Sequence, residues 1–181
     1  VDFNPLGNYI ALGSVGPPHF TLLDHTTPGT VSLAASYTLA GNCFGVSFSP
    51  SGDYIACAYA GAPNFTLLDH TTPGTVSLAT TYALPDTGRS TDFSPDNNYI
   101  AVGHDTSPRF TLLDHTTPGT LTLAATYTIK DASRGVSFSP DGNYIAVTNE
   151  NLQPYFTLLD HTTPGTVTLA ATYTFTSDGY A

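Results

Sequence analysis

Apolar and polar positions alternate along this chain with the period of β-structure, and the last quarter shows the pattern most clearly. Val136–Ser139 is a short alternating run that leads into Ser-Pro-Asp-Gly-Asn, with proline early and glycine late, as in a tight turn. Tyr144–Thr148 is a near-continuous apolar run. A connector ending at Pro154 follows, and Tyr155–Asp160 resumes a strand. Asp-His-Thr-Thr-Pro-Gly makes the next turn. Val167, Leu169, Ala171, Tyr173 and Phe175 then alternate with Thr168, Ala170, Thr172 and Thr174, a period of two. No stretch has a capped helical period. The segment predicts a four-stranded antiparallel meander, a–b–c–d, in an all-β protein. Strands a, b and c carry apolar residues with little interruption, as strands covered on both faces do. Strand d predicts one core face, with Leu169 on it, and one threonine face.

The same segment occurs four times. Phe-Thr-Leu-Leu-Asp-His-Thr-Thr-Pro-Gly-Thr begins at Phe20, Phe65, Phe110 and Phe156 without a change, and a second landmark recurs at Phe3, Phe48, Phe93 and Phe138. The units span 1–45, 46–90, 91–135 and 136–181, the last longer by one residue. One such unit cannot bury its own apolar face, so residues 1–181 are expected to form one shared domain or part of one. Thr176–Ala181 aligns with Lys130–Gly135, the connector into the next landmark, and the first residue is Val1. Both observations predict a segment of a longer array. Three closures are open: a larger ring of six to eight units, which is the expected one, two copies of this segment together, or a four-unit ring.

Composition narrows the function classes. The 181 residues are 40% apolar but only 10% charged, against the roughly 25% usual in soluble domains. Only Arg89, Arg109, Lys130 and Arg134 are basic, and the net charge is −10. Nucleic acid and anionic lipid both need cationic surface, so neither is expected as a partner. No run approaches the roughly 18 apolar residues of a membrane span. Cys57 stands where other units have Leu12, Val102 and Val147, which predicts a small buried apolar residue. Cys43 is placed in a variable connector.

The tract Phe-Ser-Pro-Asp-Gly-Asn-Tyr-Ile-Ala at 138–146 and the strand ending Leu-Leu-Asp at 158–160 resemble the WD40-like β-propeller family. The likeness covers all four units. It departs from the family where Trp-Asp would close the second tract, and in lacking the opening Gly-His pair; Gly103-His104 stands at the wrong place. The degenerate propeller arrays of bacteriophage structural proteins and bacterial surface proteins are the nearest in pattern. The resemblance implies a propeller of four-stranded blades with strand a innermost.

In such a meander the a–b and c–d turns share one face of the ring and the b–c and d–a connectors the other. The turns are almost uniform among units. The connectors diverge: Ser14–His19, Tyr59–Asn64, His104–Arg109 and Asn149–Tyr155 for b–c, and Ala40–Gly45, Pro85–Ser90, Lys130–Gly135 and Thr176–Ala181 for d–a. Either the connectors drift because loops tolerate change, or one face is a diversified recognition surface. On the second reading the contacts are His19, Asn64, Arg109 and Tyr155, with His104, Asp105, Arg89, Lys130, Arg134 and Glu150 beside them.

Catalytic and metal chemistry are weakly indicated. His25, His70, His115 and His161 each follow an aspartate, but on separate blades an Asp-His pair cannot supply the three or four ligands a transition metal needs. Asp24, Asp69, Asp114 and Asp160 are expected to accept turn N–H groups. Asp2, Ser47, Asp92 and Ser137 share one position of strand a, where they are expected to bond between blades or face the channel. No cofactor is expected. Strand d offers an uncharged edge, a risk unless something packs on it. These features predict a non-enzymatic structural and recognition module of a virion, fibre or extracellular assembly. Its partner would be a protein or surface glycan, with self-association through the outer strand or further blades. An intracellular WD40-type scaffold is the second reading. A propeller hydrolase or lactonase, with its site supplied by further blades, is the third.

Overall fold

A computed structural model describes residues 1–174; Phe175, expected to end strand d of the last unit, and the connector Thr176–Ala181 lie outside the described residues. The chain folds into four antiparallel sheets of four strands, each strand paired with its neighbour in sequence. The first sheet holds β1 (Asp2–Phe3), β2 (Tyr9–Gly13), β3 (His19–Asp24) and β4 (Ser32–Thr38). The second holds β5 (Cys43–Phe48), β6 (Tyr54–Tyr59), β7 (Asn64–Asp69) and β8 (Ser77–Ala83). The third holds β9 (Gly88–Phe93), β10 (Tyr99–His104), β11 (Arg109–Asp114) and β12 (Thr122–Thr128). The fourth holds β13 (Ser133–Phe138), β14 (Tyr144–Asn149), β15 (Phe156–Asp160) and β16 (Thr168–Tyr173). The inner strands β1, β5, β9 and β13 pack side by side in chain order, so the fold is an all-β propeller with strand a innermost.

Packing between sheets makes the core. Phe20, Leu22, Ile55 and Leu68 are fully buried at the first seam, Phe65, Leu67, Ile100 and Leu113 at the second, and Phe110, Leu112, Ile145 and Leu159 at the third. Both-sided burial of strands b and c holds for the second and third sheets only. Every residue of β10 is buried, whereas Tyr144 and Thr148 of β14 are exposed. Gly45 shows how closely inner strands approach: a Cβ there would lie 2.8 Å from the Cα of Ser90, so the backbones of β5 and β9 meet with no side chain between them.

The uniform turns are fixed by local hydrogen bonds. Asp24 Oδ1 accepts the N–H of Thr26 at 2.7 Å and its hydroxyl at 2.6 Å, and Asp69, Asp114 and Asp160 repeat the arrangement. The histidine beside each carboxylate bonds a backbone carbonyl of the a–b turn through Nδ1, as His70 does to Gly52 at 2.8 Å. Cys57 is fully buried, as expected, and burial raises its thiol pKa. Cys43 corrects the reading: it opens β5 and is buried, not part of a connector.

Strand d also departs from strict alternation. In each sheet its pairing with strand c shifts register by one residue, at Leu22/Leu23, Leu67/Leu68, Leu112/Leu113 and Leu158/Leu159. This β-bulge reverses the phase within the strand. Leu33, Leu78, Leu123 and Leu169 therefore face out; Val76 and Val167, which precede the strand, pack partly on the core. A bulge also twists an edge away from pairing. Among the described residues no helix is long and apolar enough to cross a membrane.

The bulge makes a paired prediction for chemical denaturation. Phe110→Ala, at a fully buried site, costs about 3–5 kcal/mol, whereas Leu123→Ala stays within about 0.5 kcal/mol. A large loss at Leu123 would place that side chain in the core and refute the register.

Candidate functional site

The 45-residue register brings chemistry together at the inner rim of the connector face. The second residues of β5, β9 and β13 are Phe44, Arg89 and Arg134. The residues just after β6, β10 and β14 are Ala60, Asp105 and Glu150, with Val15 at the matching place in the first unit. The rim is thus apolar on the first two sheets and charged on the last two.

The charged half is one connected network. Arg89 grips Asp105 with two parallel bonds, Nε–H to Oδ1 at 2.8 Å and Nη2–H to Oδ2 at 2.5 Å. Arg134 reaches across the seam, donating through Nη1 to Asp105 Oδ1 at 3.2 Å. Its Nε–H donates to Glu150 Oε2 at 2.9 Å, and Nη2–H reaches the same oxygen. The Arg89 guanidinium lies 4.6 Å from the centre of the Phe44 ring, a cation–π contact that joins the apolar half to the charged one. The paired side chains keep roughly a quarter to a third of their surface in solvent. Exposed pairs of this kind contribute about 1 kcal/mol or less each to stability, so the network does more to order a surface than to hold the fold. The bonds from Asp105 raise the Arg89 pKa further above its ordinary value.

Further out, the connectors tie to one another. Asp86 accepts the Thr106 hydroxyl at 2.6 Å, and Asp131 accepts the Asn151 N–H at 2.9 Å. The Thr106 and Thr87 bonds lower the Asp86 pKa, and the Ala132 and Asn151 bonds lower that of Asp131. Arg109 spends its guanidinium on backbone, with bonds to the carbonyls of Ile129 and Lys130 at 2.9 Å and of Asp105 at 3.3 Å.

Of the ten residues expected on the recognition surface, the fold assembles Arg89, Asp105, Arg134 and Glu150 into this network. Arg109 braces the connectors behind it, and Lys130 is exposed nearby. His19, Asn64 and Arg109 each take a left-handed backbone, with φ of 71°, 73° and 70°, where the connector turns into strand c. His19 accepts the Gly16 N–H at 3.2 Å through Nδ1, and Asn64 is buried and donates to the Tyr59 carbonyl at 3.4 Å. Both serve the turn. Tyr155 is half-buried, its carbonyl accepting the Asn149 N–H at 3.0 Å. His104 is fully buried, its Nε2 3.0 Å from the Thr111 hydroxyl, and burial lowers its pKa. Phe44, which was not among those ten, shares the 45-residue spacing of Arg89 and Arg134 and contacts the Arg89 guanidinium.

Two other clusters are structural. Asp2 accepts the Phe48 N–H and Asp92 the Phe138 N–H, both at 2.7 Å, so these strand-a carboxylates clamp adjacent blades as expected. Burial holds the Asp92 carboxyl above its ordinary value of 3.8, against the bonds from Phe138 and Ser137; the charge of Asp2 adds to the rise. On the turn face, crevices of about 350 and 210 Å³ lie at the third and first seams, lined by seam residues such as Tyr99, His161 and Pro164, or Tyr9, His70 and Pro73. Among the described residues no three His, Cys, Asp or Glu side chains are placed to hold one metal ion.

No known family profile matches the chain, and no curated protein matches it in sequence. Solved structures do match in fold. A provisionally assigned 6-phosphogluconolactonase from Bacteroides uniformis aligns with 93% of this chain at 16% identity and a TM-score of 0.79. The periplasmic gluconolactonase of Pseudomonas aeruginosa aligns with 99% at 17% identity and 0.79, and the hydrazine synthase of Kuenenia stuttgartiensis with 96% at 15% and 0.76. The chain spans about half the length of these proteins, at 55%, 58% and 47%. They establish the propeller. No WD40 repeat family is among the findings, and the resemblance reduces to the propeller architecture. They also correct the functional expectation. Two of these three proteins are lactonases by name, which points away from the non-enzymatic module of a virion and toward the reading ranked third above. The physical reason is in the two features that suggested an assembly protein: the uncharged rim is bulged, and the varied connectors converge on a polar network.

The buried Asp92 carboxyl gives a pH-dependent prediction. Its folded pKa is raised, so the folded state holds the proton to higher pH than the unfolded state, and stability falls as pH rises through that window. Asp92→Asn keeps an oxygen for the Phe138 N–H and removes the charge. Its denaturation midpoint at pH 7 is expected above that of the unsubstituted protein, with the gain shrinking as pH falls toward 3.8. A lower midpoint at pH 7 would mean that the charged carboxylate is the stabilising form.

Proposed function

We propose that this propeller hydrolyses a lactone, acting on a neutral, polyhydroxylated ring at the connector-face rim. The observation that carries the reading is the Arg89–Asp105–Arg134–Glu150 network at the inner ends of strands a and b, on a fold shared with two proteins named as lactonases. The WD40-like tracts belong in this reading to the scaffold, since they form the hairpins that set the inner strands in register.

Each member of the network has work to do in ester cleavage. Both bonds from Arg134 fall on Glu150 Oε2, which leaves Oε1 to accept a proton from water. That water adds its oxygen to the lactone carbonyl carbon. The ring C–O bond then breaks, and the departing alkoxide takes the proton from Glu150, giving the open hydroxy acid. Arg134 stands beside the base, where its guanidinium offsets the negative charge that develops on the carbonyl oxygen. Asp105, held by both arginines, fixes the two guanidinium planes. Phe44 and Ala60 offer an apolar floor to the carbon face of a sugar ring.

Charge selects between the two substrate types that the similar proteins' names suggest. Two guanidinium groups are matched by two carboxylates in the network, and the chain carries −10 overall. A phosphorylated lactone would need an unmatched cation, so the unphosphorylated ring fits better.

The test is hydrolysis of glucono-δ-lactone and of its 6-phosphate, followed by acid release against the buffer rate. The protein is expected to accelerate the neutral lactone, with the higher kcat/KM on it. Glu150→Gln lowers kcat by about 100-fold or more, and Arg134→Ala by about 10-fold or more. No acceleration, or activity indifferent to both substitutions, would remove the rim as the active centre.

A further inference from the structure

The seams leave open space on the turn face, opposite the rim, and they leave it in the same way twice. The crevice of about 210 Å³ at the first seam and that of about 350 Å³ at the third are lined by corresponding positions of the repeat. Pro5, Gly52, His70 and Pro73 stand around one, and Pro95, Gly142, His161 and Pro164 around the other. Both lie near or below the low end of the roughly 300–1,000 Å³ usual for small-molecule sites. Each has room for one ring and not for a chain.

A glycine keeps each crevice open. Gly52 and Gly142 take φ of 80° and 73°, and the nearest atom to a Cβ placed on either is the Cδ of Pro5 or Pro95, at 3.6 Å. At the second seam Asn97 holds this place, with φ of 67° and a carboxamide oxygen that is buried without a hydrogen-bond partner. The scaffold therefore accepts asparagine here without losing its turn.

The walls combine two chemistries. Each crevice has a proline from either sheet, which offers C–H surface on two sides. Acceptors stand between them. His70 is 5% exposed and gives its Nδ1–H to the Gly52 carbonyl at 2.8 Å, so Nε2 is an acceptor, and it is buried with no partner. In His115 and His161 the same nitrogen accepts the N–H of Gly119 or Gly165, at 3.2 and 3.3 Å. At the third seam Asp96 and Asp141 supply the acceptors. Oδ2 of each takes one bond, from Asn98 or Asn143 at 2.9 Å, and keeps a second acceptor position. Among the described residues no lysine or arginine lines either crevice.

We infer that each crevice binds one neutral pyranose ring, with a C–H face on the prolines and hydroxyls donating to His70 Nε2 at the first seam and to Asp96 and Asp141 at the third. Acceptors without a cation favour a ligand rich in O–H donors and turn away carboxylated or phosphorylated sugars. The turn face and the rim lie on opposite sides of the propeller, so this site stands or falls apart from the lactonase reading.

The test is titration of the folded 181-residue chain with the methyl glycosides of glucose, galactose, mannose and N-acetylglucosamine, read from the imidazole nitrogen-15 signals of His70 and His161. Each is taken to about 100 mM, far above a Kd of roughly 1 mM. At least one glycoside is expected to give saturable shifts at both histidines, while gluconate gives none there. Gly52→Asn, which copies the second seam, is expected to remove the His70 shift and keep that of His161; Gly142→Asn does the reverse. If one variant does not fold, the other is read with the same logic. No saturable shift with any glycoside, a response at only one histidine, equal shifts with gluconate, or shifts that survive the asparagine variants would each overturn the inference.

Discussion

The seam between sheets is the constraint on which everything else depends. A single four-stranded meander leaves both faces of strands b and c apolar and cannot stand alone. At each internal seam a tyrosine edge meets an imidazole, a glycine in the adjoining turn leaves room for the hydroxyl, and aliphatic and phenylalanine side chains fill the depth behind them. The eleven identical residues of each unit follow from that geometry. Asp fixes the turn, His is the docking ring, Gly makes room for the neighbour's hydroxyl, and Phe and Leu are core. A change at the His, Gly, Phe or Leu would have to be matched in the adjacent sheet.

The connectors vary although they too meet across the seams, as Arg134 does with Asp105 and Cys43 with Ser14. They join at the opposite face, where the inner ends of strands a and b bring residues 45 apart into a row around the channel. In the third and fourth sheets that row holds arginines and carboxylates, and in the second a phenylalanine and an alanine. The scaffold thus supplies placement, and the variable positions supply chemistry. The same architecture accompanies proteins named for lactone hydrolysis and for hydrazine synthesis, which is why the function must be argued from the rim.

Much of this was legible in the sequence. The repeat and its period-two runs specify four-stranded sheets, and the uniform and varied tracts identify the two faces of the ring. Cys57 and the turn aspartates are also readable from pattern alone. The phase of strand d was not, because a bulge inserts one residue without disturbing composition, and Leu33, Leu78, Leu123 and Leu169 turn outward as a result. The rim network was half legible. Arg89, Asp105, Arg134 and Glu150 stand out as charges in a chain with few, but their convergence depends on which connector ends lie innermost. His19, Asn64 and Arg109 drew attention by varying, yet their left-handed backbones and local bonds bind them to the turn. The largest error came from treating low charge and a bare strand edge as marks of an assembly protein.

The central claim, that the inner connector rim is where a sugar-derived ligand is held, is most directly tested by the arginine side chains themselves. Nitrogen-15 spectra of the Arg89, Arg109 and Arg134 Nε–H groups, recorded as gluconate is added, should show saturable shifts at Arg89 and Arg134. Arg109, spent on backbone carbonyls, should stay fixed. Shifts confined to Arg109 or to turn-face residues such as His70 and His161, or no shifts at saturating gluconate, would contradict the account.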